Sequence, residues 1–183
     1  HRSAPGVVEH QALGGVNIGY HSGPATLDPQ AQQALLGEMA EMLRQAGVDS
    51  SPMPSLAQAR WMKLVWNVPF NGLSALLDAG TESLLASDDT RAQIKAIMQE
   101  VCTAAQALGC SLPENFPEKL LMGTARMPDY LPSMYHDRCQ NRPMELEAIY
   151  AAPLAAAAQQ GVSMPCTEML YRLLRFLEQR NGA

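Results

Sequence analysis

The sequence is poor in aromatic and charged residues and lacks any long apolar run. Phe, Tyr and Trp together make up 5% of the 183 residues, and charged residues 17%. No stretch approaches the roughly 20 apolar residues that a membrane-spanning helix needs. The formal net charge of −5 creates no broad positive field that would attract a phosphate backbone. We therefore expect a soluble, cytoplasmic protein that binds neither nucleic acid nor membranes.

The sequence also lacks paired cysteines, metal-binding histidine spacings and nucleotide-binding glycine motifs. Its four cysteines lie far apart with no CxxC pair, which is typical of reduced thiols rather than of a zinc site or a disulfide framework. Its four histidines show neither HxH nor HExxH spacing, so no metal site is predicted. There is no GxGxxG and no Walker-type loop, the motifs that would indicate a bound nucleotide.

What the sequence does contain favours helix. Ala, Leu, Met and Gln, all good helix formers, fill most of the segments between prolines. The exceptions are residues 5–10 and 14–20, which are short, β-branched and punctuated by glycine, and which predict two strands joined by a turn. Because an isolated hairpin is only marginally stable, these strands should belong to a larger sheet. We interpret residues 1–24 as a β segment of another domain and residues 25–183 as a helical domain.

The first helix is marked by signals at both ends. Asp28 can cap it, with Pro29 at its first position, and Gly47 ends it. The apolar residues that fall near one face, and so are expected to be buried, are Leu35, Leu36, Met39, Met42 and Leu43. A loop containing Pro52 and Pro54 follows.

The second helix is predicted over about residues 56–77, with Ser55 as its cap. Pro69 lies inside it, and because proline removes one backbone hydrogen bond we expect a bend near residues 67–71. Its apolar residues available for burial are Trp61, Leu64, Val65, Val68, Leu73 and Leu76.

Further helices follow along the chain. The third is expected to be capped by Asp88 or Asp89 and closed by Gly109. The other predicted elements are a short helix after Pro113, an irregular stretch at 127–134, and helices at about 143–160 and 166–179. The sum is a domain of about five or six helices whose packing provides the core.

Lys63, Asn67 and Asn71 form the first candidate site. Their i, i+4, i+8 spacing places an ammonium and two carboxamides along one stripe of the second helix. The sequence neighbours of Lys63 are apolar, and an apolar environment disfavours the charged form, which makes a lysine a better proton donor near neutral pH. The alternative is a lysine that extends its head into water beside two asparagines in surface or helix–helix contacts. Spacing alone leaves both interpretations open.

A second candidate site combines a loop hydroxyl with carboxylates. Ser133 follows Pro132 in a loop, where its hydroxyl could bind a carboxylate or hydroxyl of a small ligand. Asp137 follows, and Glu145 lies in the first turn of a predicted helix, where the helix dipole favours negative charge. The alternative is that these are ordinary turn and helix-end residues.

Two long segments resemble the helical signatures of the ketopantoate reductase (2-dehydropantoate 2-reductase) family. The first is WMKLVWNVPFNGLSAL at residues 61–76. The second consists of PSMYHD at 132–137, RPMELE at 142–147 and GVSMP at 161–165. Their order and intervals are similar to the family's over about residues 55–178. The opening strands also resemble the end of that family's nucleotide-binding domain, and in the family the GxGxxG motif lies upstream of this point.

The resemblance implies a fold and an activity. The fold would be mainly α, a multi-helix domain like the C-terminal domain of 6-phosphogluconate dehydrogenase, preceded by a short β remnant of a Rossmann domain. The complete enzyme would reduce 2-dehydropantoate to pantoate with NADPH, a step toward pantothenate and coenzyme A. The N-terminal domain would hold most of the cofactor, so this chain alone is expected to be inactive. A homodimer is expected by the same analogy.

The resemblance also implies roles for the candidate residues. Lys63 would be the general acid that protonates the carbonyl oxygen, and Glu145 would accept hydrogen bonds from a substrate hydroxyl or orient the lysine. Asn67 and Asn71 would hold the polar groups of the substrate. Ser133 would contact its carboxylate end.

The chain departs from the family at Tyr150-Ala151, where the family commonly has Asn-Gly. The bulk of Tyr150 at this point leaves the exact 2-oxo acid open, so reduction of a different 2-oxo acid is one alternative. Another is a helical dimerisation or interaction module that kept the fold and lost the chemistry. The intact polar set argues against such a module, because degeneration would affect polar cleft residues first.

Overall fold

The computed structural model describes residues 2–8, 15–21 and 26–181, and the chain divides into two compact units. The N-terminal unit is His1–Ala59 and the helical unit is Arg60–Ala183. The predicted domain boundary after residue 24 falls among residues outside the described ranges, and it stays a prediction.

In the described part of the N-terminal unit, four short strands form two two-stranded sheets. Strand β1 (Arg2–Ala4) pairs antiparallel with β2 (Val7–Val8), and β3 (Val16–Ile18) pairs in parallel with β4 (Ser50–Pro52). Parallel strands need a crossover connection, and helix α1 (Pro29–Gln45) lies between β3 and β4 in the chain. The three elements therefore form a strand–helix–strand unit.

The predicted hairpin between residues 5–10 and 14–20 is wrong. Each segment contains a strand, but the two strands lie in different sheets. The predicted loop at Pro52 is also wrong, because Pro52 ends β4 and the next residue, Met53, donates its N–H to the Ile18 carbonyl at 2.7 Å. Proline is tolerated at the end of an edge strand, where its missing N–H costs no ladder bond.

Helix α1 has the predicted ends but not the predicted buried face. The Asp28 carboxylate accepts hydrogen bonds from the N–H groups of Gln30 and Ala31 at 3.0 Å, and Gly47 follows the last turn at φ +81°. Of the apolar residues predicted on one face, the structure buries Leu36, half-buries Leu43 and exposes Leu35, Met39 and Met42. The helix packs on β4, and a two-stranded sheet covers only a narrow stripe of a helix.

Helix α2 (Leu56–Leu77) matches its prediction closely. Ser55 Oγ accepts a hydrogen bond from Gln58 N at 3.0 Å, and the helix continues through Pro69. Among the residues predicted for the core, the structure buries Trp61, Val65, Val68 and Leu73 and half-buries Leu64 and Leu76. The bend itself stays a prediction.

Three helices follow, α3 (Thr81–Ala86), α4 (Asp88–Ala107) and α5 (Phe116–Ala125). Helix α3 was not predicted, because six residues are too few to show a helical period. The predicted cap of α4 is wrong: Ser87 Oγ accepts from Thr90 N, and the two acids after it lie in the first turn, where the dipole favours them.

The remaining elements are α6 (Ser133–Cys139), a π-helical segment (Glu147–Ala151), α7 (Ala152–Gln159) and α8 (Pro165–Asn181). The prediction that residues 127–134 are irregular fails only at the start of α6. The helix predicted from residue 143 begins later, at residue 146, and its next five residues form the π segment. The mainly α prediction is confirmed, although the described residues contain eight α-helices rather than five or six. None of the described helices is both long and apolar enough to cross a membrane.

Candidate functional site

The polar stripe on α2 runs from the surface into the core. Lys63 is exposed, Asn67 is half-buried and Asn71 is only 3% exposed. Among the described residues, Lys63 does not have the apolar surroundings that were expected for it. Its sequence neighbours Trp61 and Val65 are buried, but residues two apart on a helix face different sides, so their burial leaves the lysine in solvent.

Asn71 connects this stripe to the second candidate segment. Its Oδ1 accepts a hydrogen bond from the backbone N–H of Met134 at 3.3 Å, across 63 residues of sequence. Ser133, the residue before Met134, is the first residue of α6 and is exposed. The structure therefore brings the buried end of the stripe next to the backbone of Ser133, as the convergence of the two segments requires.

Glu145 is exposed at the start of the backbone that leads into the π segment. Its neighbours Met144 and Leu146 are 7% and 5% exposed, and burial on both sides turns the Glu145 side chain outward. The Met144 N–H donates to the Glu178 carboxylate on α8 at 2.7 Å, which fixes this backbone. The Glu145 carbonyl accepts from Ile149 N at 3.1 Å.

Among the residues that the structure describes, four candidate side chains have polar heads without a protein partner. Neither a side-chain hydrogen bond nor an ion pair within these ranges is formed by Lys63, Asn67, Ser133 or Glu145. In particular, no ion pair joins Lys63 to Glu145. An ammonium, a carboxamide, a hydroxyl and a carboxylate are thus free to bind a small polar molecule, while Asn71 is held by the backbone.

Tyr150 was noted in the sequence only for its bulk, and the structure places it in the core. It is fully buried, and its hydroxyl donates to the Val68 carbonyl of α2 at 2.7 Å. Burial raises the pKa of Tyr150 far above its ordinary value, while a hydrogen bond from the Gly72 backbone acts in the other direction. A Cβ on Gly72 would lie 2.4 Å from the tyrosine oxygen, so only glycine fits there. No sequence spacing could have revealed a contact between residues 82 positions apart.

Other features of the helical unit do not involve the candidate residues. A surface cavity of about 480 Å³ lies between α7 and α8, and its lining includes Tyr171 and Arg175 but none of the predicted site residues. All four cysteines are free, and burial raises the pKa of the Cys102 thiol to about 11. In the part of the chain that the structure describes, no cluster of His, Cys, Asp and Glu could hold a metal ion.

The fold and the site define a multi-helix domain in which a proline-containing helix and two later segments present polar side chains. Residues 55–178 match the family described as "Ketopantoate reductase PanE/ApbA C terminal". The chain belongs to this family, which confirms the resemblance seen in its sequence.

The proteins that this chain is similar to are named 2-dehydropantoate 2-reductase or ketopantoate reductase. The chain is 34% identical over 177 residues to the 2-dehydropantoate 2-reductase of Nostoc sp., an alignment that covers 96% of this chain and 54% of that protein. The structure of 2-dehydropantoate 2-reductase from Geobacter metallireducens is similar at a TM-score of 0.85 and 40% identity, over 96% of this chain and 56% of that one. A dimeric ketopantoate reductase from Staphylococcus aureus is similar at a TM-score of 0.68 and 25% identity, over 81% and 52%. The chain spans about half the length of the relatives it matches.

Proposed function

We propose that this chain is the helical, substrate-binding and catalytic half of an NADPH-dependent 2-oxo acid reductase, and specifically of 2-dehydropantoate 2-reductase. The observation that carries the proposal is that all five candidate residues lie inside the matched family region, and that four of them have polar heads unpaired within the described part of the chain. NADPH supplies the hydride when it is bound. The chain has no glycine-rich phosphate loop of its own, which fits a cofactor held mainly by a preceding N-terminal domain.

Lys63 is the proposed proton donor. Negative charge builds on the carbonyl oxygen as a ketone is reduced, so a nearby donor acts mainly in the transition state. General acid catalysis of this kind contributes roughly two to four powers of ten to the rate. The Lys63 side chain is exposed, and it forms no ion pair with a described residue that would have to break before it reaches a substrate.

The other four residues hold the substrate in the same proposal. Asn67 offers a free carboxamide one turn from Lys63, and the Asn71 amide nitrogen takes no part in its bond to Met134. Ser133 offers its hydroxyl to the substrate carboxylate. The Glu145 carboxylate accepts a hydrogen bond from a substrate hydroxyl or from the lysine ammonium.

The experiment uses the full-length protein that contains this chain. Purified protein is assayed with NADPH against a panel of 2-oxo acids that includes 2-dehydropantoate, by loss of nicotinamide absorbance. Lys63→Ala should lower kcat roughly 10²- to 10⁴-fold while the circular dichroism spectrum is kept. Lys119→Ala, an exposed lysine on α5, is the matched control and should leave kcat unchanged.

Each outcome of this assay discriminates between functions. Near-normal turnover of Lys63→Ala would contradict the role given to that residue. Preference for another 2-oxo acid would keep the reaction and change the substrate. No turnover of any 2-oxo acid by the wild type would favour a non-catalytic interaction module. The full enzyme is further proposed to be a homodimer, as the similar S. aureus protein is described, and sedimentation velocity tests this.

A further inference from the structure

The Tyr150 hydroxyl lies against one turn of α2. It donates to the Val68 carbonyl at 2.7 Å, and it lies so close to Gly72 that a Cβ there would be 2.4 Å from it. The helix is continuous through this turn, and in an α-helix a carbonyl accepts from the N–H four residues later. The hydroxyl is therefore a second donor to the Val68 carbonyl, supplied by another segment of the chain.

The same turn of α2 contains Pro69. Proline has no N–H, so the Val65 carbonyl one turn earlier has no donor from the helix ladder at this point. The missing proline donor and the hydrogen bond from Tyr150 therefore fall within one turn, Val68–Gly72. A helix that lacks one ladder bond depends more on its neighbours for the direction of its two halves, and Tyr150 is a neighbour that hydrogen bonds to the backbone of this turn.

This turn separates the candidate residues of α2 into two groups. Lys63 and Asn67 precede it, and Asn71 lies within its last part, bonded to the backbone of Met134. At 1.5 Å per residue, Lys63 lies roughly 7.5 Å along the helix from Val68. A change of about 10° in the bend would therefore move the Lys63 backbone by about 1.3 Å, and misplacement by about 1 Å can cost roughly 10²-fold in rate.

Tyr150 also belongs to the segment that carries Glu145. It lies in the π-helical segment Glu147–Ala151, and such segments contain an extra residue per turn that changes the direction of the side chains around them. Here the ring of Tyr150 points into the core while Glu145 is exposed. One hydroxyl thus connects the backbone that presents Glu145 to the helix that presents Lys63.

Gly72 leaves little space around the contact between Tyr150 and α2. A Cβ on Gly72 would lie 2.4 Å from the Tyr150 oxygen and 2.7 Å from the Leu170 side chain of α8. Glycine at this position leaves just the space that the hydroxyl occupies. The arrangement is specific to a tyrosine, because a shorter polar side chain at position 150 would not reach α2.

We propose that Tyr150 is a positioning residue that sets the direction of Lys63 relative to Asn71 and Glu145. The inference rests on the function proposed above, and it adds a residue that does not touch the substrate. It requires that loss of the hydroxyl act through Lys63, which distinguishes it from a general contribution to folding.

The test is a double-mutant cycle in the full-length enzyme. Tyr150→Phe keeps the ring and removes the hydroxyl, and it should lower kcat tenfold or more while the KM for NADPH stays within twofold. In the Lys63→Ala background the same change should lower kcat less than threefold, because the group being positioned is gone. Tyr171→Phe, whose ring stacks on Tyr150 at 6.1 Å between centroids, is the control and should stay within twofold of wild type.

The outcomes separate this inference from the proposed function. An active wild type with Tyr150→Phe within twofold of it would overturn the positioning role and leave the function standing. An equal loss in both backgrounds would also overturn it, since that result indicates a purely structural effect. An inactive wild type would remove both. If Tyr150→Phe is unfolded at the assay temperature, the cycle is repeated at a lower temperature at which circular dichroism shows all of the variants folded, and the same two results are expected there.

Discussion

Glu100 gives the sharpest test of how the helical unit is held together. It lies on α4, and its carboxylate accepts hydrogen bonds from Cys166 N at 2.8 Å and from both the N–H and the hydroxyl of Thr167 at 2.9 and 2.7 Å. These N–H groups belong to the first turn of α8, whose donors have no partner within the helix. Thr167 is fully buried, so water cannot replace the carboxylate there.

The size of the effect follows from these three bonds. Glu100→Gln keeps the shape of the side chain but replaces one acceptor oxygen with an NH₂ group that faces a donor. At least one bond to a charged group is lost, worth about 1.5–3 kcal/mol. The loss of negative charge at the helix N-terminus adds about 0.3–1 kcal/mol. We expect the free energy of unfolding to fall by about 2–4 kcal/mol.

Urea denaturation of the 183-residue chain, followed by circular dichroism, measures this difference. Glu118→Gln is the matched control, because Glu118 is half-exposed and makes a single ion pair with Lys95 at 3.8 Å. Exposed pairs of this kind contribute at most about 1 kcal/mol. A Glu100→Gln variant within about 0.5 kcal/mol of wild type would show that α8 does not depend on this cap, and the reasoning would be wrong.

Two further changes test other contacts. Gly80→Ala places a Cβ 2.2 Å from the Asp129 carboxylate, which must then lose its hydrogen bond from Glu82 N. The free energy of unfolding, measured in urea, should therefore fall by about 1–2 kcal/mol. An unchanged midpoint would contradict this. Because burial raises the pKa of Tyr150, the stabilisation its hydroxyl provides is complete below about pH 10, the ordinary tyrosine value, and is lost as the pH rises above it. The stability difference between wild type and Tyr150→Phe should therefore fall by about 1.4 kcal/mol per pH unit above pH 10, and a constant difference up to pH 11 would argue against a buried neutral hydroxyl.

Local signals predicted the elements that depend on local chemistry. The cap of α1 at Asp28, the cap of α2 at Ser55 and the end of α4 at Gly109 all follow from side-chain and backbone geometry within a few residues. The strand pairing did not follow, because β3 pairs with β4 across more than thirty positions of sequence and nothing local specifies that partner. Helix α3 was not predicted for a simpler reason. It contains fewer than two turns, which is too short to show a helical period.

The candidate site could likewise be predicted only where local spacing determines it. Helical spacing predicted that Lys63, Asn67 and Asn71 share a stripe, and the loop position of Ser133 and the helix-start position of Glu145 made these residues the second candidate site. The resemblance to a family supplied the roles of all five. Spacing could not predict which end of the stripe is buried. That depends on packing against α6, where Asn71 bonds to the backbone of Met134. The solvent exposure of Lys63 is likewise a result of tertiary packing, which its apolar sequence neighbours did not reveal.

The exposure of Lys63 bears on how the proposed reaction could occur. A lysine ammonium in water is strongly hydrated, and a proton donor stabilises developing charge best where water is excluded. The described residues of this chain do not cover the Lys63 head, so in the proposed enzyme the substrate and the cofactor-binding domain must supply that cover. The chain would then contribute a pre-positioned donor, held through α2 and Tyr150, whose catalytic effect develops only in the assembled site. This accounts physically for the expectation that the isolated chain is inactive, even with every proposed catalytic side chain present.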